Sequence, residues 1–438
     1  MESYHPWVTP YNEDGTLKYN IKSWKNYTMD PTPLSNPLQD NKYNNVTDLK
    51  NNLFGSFSAT LKPFKWLSFS STNTLTLTNV NTNDYLDSRT YSGNHSRNEM
   101  SNGVLKVDDE RSWTFLTSNI LRLQHSFGEH NLSGLVGQEW YERHTRSSHI
   151  EMYDQMIAGE RNVGGFSKQG DKTNPAVIPT GAERESGSFS VFSEVNYNYA
   201  GKYMASVSFR TDGSTNFGKD NRYGTFYSFS GSWLVSREAF MARQDVVSNL
   251  KLRMSYGTSG KEAGMDYLNY TLYSTSNTTF DYYRDHPAYQ SAYGATINQL
   301  GNDQLSWETA YNLNIGVDVA LLNNRISLSA DWYKRRNSDL IMSTTLPAAN
   351  GVGRQYQNVG EMENRGVELV LNTHTVKGEE FNWFTTLTFS YNNNELTKLD
   401  QEKLTRSGYK TFYEGDNIDE LKKVKVTGVD PETGFAQY

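Results

Sequence analysis

The sequence predicts an all-β fold: an antiparallel transmembrane β-barrel, of which about twelve strands are visible, with short turns at one end and long loops at the other. Three observations predict it. Segments in which apolar and polar residues alternate recur along the chain. The connections between them alternate short and long. No apolar run approaches the roughly 18 residues of a membrane-spanning helix, so a helical membrane protein is excluded. A mean hydropathy of −0.72 is compatible with lipid contact, because a barrel strand needs apolar residues only at every second position over about 9–11 residues.

Residues 1–50 are polar, contain prolines and keep no period, which predicts a surface loop or the ragged start of a piece; the barrel is expected over 51–438. In the first strand pair Leu53, Phe57, Ala59 and Leu61 alternate with Ser56, Ser58 and Thr60, and Lys62-Pro63-Phe64-Lys65 supplies a turn. Leu67, Phe69, Leu75 and Leu77 then oppose Ser68, Ser70, Thr72, Thr74 and Thr76. A polar connection over 79–110 leads to strands at 112–127 and 131–141, joined by Gly128-Glu129-His130. A second long connection, rich in charge and glycine, covers 142–187.

The clearest alternation follows. Phe189, Val191, Val195, Tyr197 and Tyr199 share one face, and Ser190, Glu194, Asn196 and Asn198 the other; after Ala200-Gly201-Lys202, Tyr203, Ala205, Val207 and Phe209 oppose Ser206, Ser208, Arg210 and Asp212. Charge in mid-strand is cheap on a face that looks into water and costly against a second sheet. The first set is therefore expected outward in lipid, with Glu194 and Arg210 facing a wet lumen. Strands at 225–235 and 250–256 flank a short helical turn near Glu238–Met241. The longest connection, 258–304, is dense in tyrosine. Beyond it Tyr311, Leu313, Ile315, Val317 and Val319 pair through the turn Leu322-Asn323-Asn324-Arg325 with Ile326, Leu328, Ala330 and Trp332, and a last pair carries Val367, Leu369 and Leu371, then Trp383, Leu387, Phe389 and Tyr391.

A net charge of −7 offers no basic stripe to displace counterions, which argues against a nucleic-acid partner. The absence of cysteine removes disulfides and thiolate metal sites and suits an exported chain. Tyrosine is abundant, with 29 residues against 9 Trp; interfacial girdles and sugar-binding surfaces both use it, so the count alone does not choose between them.

The stretch from Arg210 to Phe226, RTDGSTNFGKDNRYGTF, together with SREAFM at Ser236–Met241 and LKLRMSYG at Leu250–Gly257, resembles the SusC/RagA family, the TonB-dependent outer-membrane transporters of Bacteroidetes-type bacteria. Order and spacing both hold. The resemblance covers 188–438 by motif and 53–141 by pattern. It implies a multi-pass barrel in the Gram-negative outer membrane, active import of oligosaccharides or peptides, a SusD-like surface lipoprotein and the TonB complex as partners, no enzymatic activity and no cofactor. Met1-Glu2-Ser3-Tyr4-His5-Pro6 has neither a basic nor an apolar leader, and Thr427–Gly434 is similar to a stretch that the family places before its last strands. The expectation is a piece of a transporter without its signal peptide, plug domain and final strands.

Other motifs weigh less. Gly213–Lys219 fits seven positions of a phosphate-binding loop, but Asp220 stands where a Ser or Thr hydroxyl is needed and a strand follows, so the glycines are read as turn residues. His144 and His149, near Glu142 and Glu151, lack a metal-ligand spacing, and the carboxylates Glu361 and Glu363 or Asp108, Asp109 and Glu110 are read as solvated loop charge. The site candidates are Tyr267, Tyr270, Tyr273, Tyr282, Tyr283, Tyr289 and Tyr293 for ligand contact in the tyrosine-rich loop, and the motif residues Arg210, Asp212, Gly213, Ser214, Phe217 and Gly218. No catalytic or metal residue is assigned. The competing reading is a soluble, Tyr-rich carbohydrate-binding β-protein, which would need its apolar faces packed on a second layer.

Overall fold

Twelve long strands run in sequence order through one antiparallel sheet, each of the ten inner ones paired with the strands before and after it. They are β1 (Asn45–Phe64), β2 (Leu67–Leu86), β3 (Val104–Phe127), β4 (His130–Gln155), β5 (Thr180–Tyr199), β6 (Tyr203–Ser214), β7 (Tyr223–Leu234), β8 (Val247–Lys261), β9 (Glu308–Leu321), β10 (Ile326–Ser338), β11 (Glu361–Lys377) and β12 (Asn382–Lys398). A short thirteenth strand, Phe166–Gln169, pairs with the far end of β4. The computed structural model describes residues 9–23, 32–95, 102–169, 180–274, 296–347, 349, 351–399, 404–406, 410–418, 426–431 and 433–437. Within them β1 and β12 are the free edges of the sheet, so the barrel is not closed.

The two faces differ as the alternation requires. Val207, Phe209, Phe229 and Met254 are between 45% and 55% exposed, and no second layer covers them among the described residues. A sandwich would bury these side chains; an outer barrel wall presents them to lipid. Along β5 the outward series from Phe189 to Tyr199 spans ten steps, about 33 Å of strand and about 25 Å of height once tilted, the thickness of a bilayer core. Stacked rings mark its lower border: Tyr203 lies 6.3 Å from both Tyr199 and Trp233, and His130 stacks 4.9 Å from Phe127. Trp140, Phe189 and Tyr223 occupy one cross-strand row at the upper border.

The inner face is polar and internally paired. Arg210 binds Glu139 at 3.1 Å and Asp212 at 2.6 Å, with its guanidinium 5.1 Å from the centre of the Phe192 ring. Phe192 fits because Gly137 faces it across the ladder, where a Cβ would come within 2.3 Å of the ring. Arg253 bridges Asp318 at 2.7 Å and Asp331 at 3.0 Å. Glu194, Asn196 and Ser206 lie on the same face as expected, and Asn196 Nδ2 donates to Glu194.

Four expectations change. The connections predicted at 79–110 and 142–187 are strand at both of their ends: β2 runs to Leu86, β3 begins at Val104, β4 reaches Gln155 and β5 begins at Thr180. Beyond the bilayer both faces are wet, so the backbone ladder continues while the apolar period that would reveal it is lost. For the same reason Asp108, Asp109, Glu110, Glu361 and Glu363 are strand residues rather than loop charge, and Lys334 and Arg336 pair across the ladder with Glu363 and Glu361. The first turn is Lys65-Trp66, with Pro63 inside β1 at a register shift between Leu61 and Phe64, where its missing N–H is tolerated. The loop expected over 1–50 gives way to a paired ribbon, Asn20–Ser23 with Thr32–Ser35, a short helix Pro37–Tyr43, and β1 from Asn45. Asn36 holds that module: fully buried, it caps the helix through Leu38 N and donates to the Pro10 and Lys18 carbonyls.

Candidate functional site

The long connections all leave the sheet at one end, opposite the turns at 65–66, 128–129, 200–202, 322–325 and 378–381. Three of them are packed into one structure. Phe217, from the β6–β7 loop, has no exposed surface and lies in a cluster with Ala263, Leu268 and Leu305 of the β8–β9 connection; Trp307, Ile341 and Tyr356 close over it. The Phe217 ring is 5.2 Å from that of Trp307, whose Nε1 donates to the Arg222 carbonyl. Asn221 Nδ2 donates to the Gln304 carbonyl at 3.0 Å. The ribbon Ile341–Thr345 with Arg354–Asn358 is tied in by Asn302 Nδ2 to the Tyr356 carbonyl and by reciprocal bonds between Asn358 and Ser306.

This packing explains the motif residues. Gly213 lies under the Tyr223 ring, where a Cβ would approach to 2.5 Å, and Gly218 abuts the Asp303 carbonyl oxygen, where it would approach to 2.2 Å. Ser214 is buried, donates to Glu262 and accepts from Asn216 N. Arg210 and Asp212 belong to the inner wall, below the loops. Gly213–Lys219 is the end of a strand and a loop entering another strand, with no helix to cradle phosphate.

Tyr267 and Tyr270 are brought together, rings 6.4 Å apart, at the edge of a cavity of about 680 Å³ also lined by Trp140, Phe189, Tyr223 and Arg222. Tyr267 sits in the left-handed region at φ 63°, unusual for a bulky residue, and is held there by Glu185 N, which donates to its hydroxyl at 2.7 Å. Tyr273 is 64% exposed and does not line the cavity. Tyr282, Tyr283, Tyr289 and Tyr293 lie outside the described residues. Trp140, Arg222, Leu268, Leu305 and Trp307 join the site without being site candidates on sequence grounds. Trp140 ends a readable alternation and Arg222 stands within the Arg210–Phe226 motif, whereas nothing in the spacing of the other three marks them.

Two polar clusters above the bilayer level complete the loop end. His144 approaches Glu183 at 3.1 Å and Glu185 at 3.4 Å, and His149 meets Asp108 at 2.6 Å. Among the described residues no group of three or more His, Asp or Glu is placed to hold a metal. Where β2 ends, Asp87 is buried; burial pushes its carboxyl up, but Arg89, bonded to both oxygens, and the Tyr85 hydroxyl pull harder and leave it at about 2. Tyr85 is itself raised to about 12, first by burial and then by its bond to Asp87.

Comparison with known proteins agrees with this geometry. The model of the TonB dependent receptor-like β-barrel family matches residues 3–435. TonB-dependent receptor P26 of Formosa agariphila is 30% identical over 433 residues, which are 95% of this chain and 41% of that protein. TonB-dependent receptor SusC of Bacteroides thetaiotaomicron is 34% identical over 212 residues, 48% of this chain and 21% of that protein. The structure of the RagAB peptide transporter superposes with a TM-score of 0.80 at 25% identity, covering 98% of this chain and 45% of that one. The chain therefore spans less than half the length of these relatives.

Proposed function

Because the chain belongs to the TonB-dependent receptor family and is of the SusC/RagA type, we propose that it forms part of the wall of an outer-membrane transporter that imports oligosaccharides or peptides. The observation that carries this is the two-solvent sheet: an exposed apolar wall about one bilayer tall, backed by an inner face of ion-paired arginines and carboxylates. Arg210 with Glu139 and Asp212, and Arg253 with Asp318 and Asp331, give the lumen a polar lining that stays hydrated or meets a plug. The proposal extends to a SusD-like lipoprotein seated on the packed loop end and to energy supplied through TonB.

The soluble carbohydrate-binding alternative is disfavoured, since it would leave Val207, Phe209, Phe229 and Met254 in water. The test is to delete the gene in its host and follow uptake of labelled maltooligosaccharides and of labelled oligopeptides, with and without a protonophore. Loss of energy-dependent uptake of one class names the cargo. Unchanged uptake of both would reject the transport reading.

A further inference from the structure

We propose that the cavity bounded by Tyr267, Tyr223 and Arg222 holds the anionic saccharide headgroup of an outer-leaflet glycolipid, a role separate from cargo passage. The inference rests on the reading of this sheet as an outer-membrane barrel wall. It starts from which side the cavity is on. Trp140, Phe189 and Tyr223 belong to the outward row, so this part of the cavity's rim lies on the membrane side of the sheet.

Its height fits a headgroup. Along β5 the outward residues run from Val191 below the cavity, through Phe189 and Glu185 in its lining, to Glu183 above it. The change from lipid-facing to charged side chains occurs across this cavity, where the headgroup of a membrane lipid begins.

Its lining fits an anionic sugar. Trp140, Tyr223 and Tyr270 are 50%, 63% and 56% exposed, so their ring faces are open for stacking on a sugar ring. The carboxylates of Glu142 and of Glu185, the latter 3.4 Å from His144, can accept hydrogen bonds from sugar hydroxyls. Arg222 makes no ion pair among the described residues, and its Nε is buried without an acceptor. Arg222 lines the cavity without a carboxylate partner, and the terminal nitrogens of such a guanidinium suit a phosphate or sugar carboxylate. The walls are preformed: Tyr267 is fixed by Glu185 N, and Gly187 N donates to Thr215 Oγ1 at 2.9 Å. Little ordering remains to be done on binding.

The test uses the transporter expressed from its whole gene in the outer membrane, extracted and placed in phosphatidylcholine nanodiscs doped with rough lipopolysaccharide. Native mass spectrometry then counts retained glycolipid for the wild type, Arg222→Gln and Tyr223→Leu. Arg222→Gln keeps the backbone carbonyl that receives Trp307 Nε1, and Tyr223 is exposed enough to replace without disturbing the loops. The wild type should retain the glycolipid, each variant should lose retention by about tenfold, the scale of one charge-assisted bond for Arg222→Gln and of one stacked ring for Tyr223→Leu, and lipid-free core oligosaccharide in excess should not displace it. Equal retention by both variants, or full displacement by the free oligosaccharide, would overturn the headgroup site while leaving the barrel reading intact. Absence of heat-modifiable, membrane-inserted wild-type protein would overturn the barrel reading and this one with it.

Discussion

Phe217 is the residue on which the loop end depends, because one ring contacts side chains from the β8–β9 connection while Trp307 carries the contact onward. Phe217→Ala should cost about 3–5 kcal/mol locally, and limited proteolysis should then cut within 262–274 and 300–307 at sites the wild type protects. Asp87 makes a second prediction at this scale. Its carboxyl is depressed in the folded state, so the stabilisation it gives is complete above its unfolded value of about 3.9 and is lost as pH falls through about 2. The hydrogen-exchange protection factors of 85–90 and 152–156, corrected for the intrinsic pH dependence of exchange, should fall in that acid window and stay level between pH 5 and 8. Asp87→Ala, which leaves Arg89 and the Tyr85 hydroxyl without their acceptor, should destabilise the same region by about 3 kcal/mol at neutral pH.

The strand is the scale at which membrane depth is encoded. Phe229→Lys, at the centre of an outward row, should cost about 2–4 kcal/mol and reduce membrane insertion, as read by urea titration in lipid vesicles. Glu194→Gln, on the inner face, should insert normally. Wherever one face meets lipid and the other water, as in 53–77, 189–209 and 311–332, the alternation makes the strands legible in the amino-acid sequence alone. Where both faces meet water it fails, and β3 over 104–111 and β4 over 142–155 look like loops. The loop end is legible only as motif. The burial of Phe217 and the approach of Gly218 to Asp303 join separate loops, and the bond from Glu185 to Tyr267 joins residues 82 positions apart, which no local pattern announces.

At the scale of the molecule, the twelve strands form, among the described residues, an unclosed sheet with β1 and β12 as free edges. In lipid each unpaired backbone group costs several kcal/mol, so residues 1–438 alone should aggregate or insert poorly, and liposomes carrying them should show no energised accumulation of oligosaccharide. Accumulation by this chain alone would overturn the reading of the sheet as unable to close by itself. The welded loop end has a consequence for how such a protein diversifies. Surface loops ordinarily tolerate insertions one at a time. Here a residue added to 215–222 would displace Phe217 from a socket built by other loops, so length changes must arrive in concert or be confined to segments outside the cluster, and variation in what the mouth presents to its surroundings is channelled into those segments.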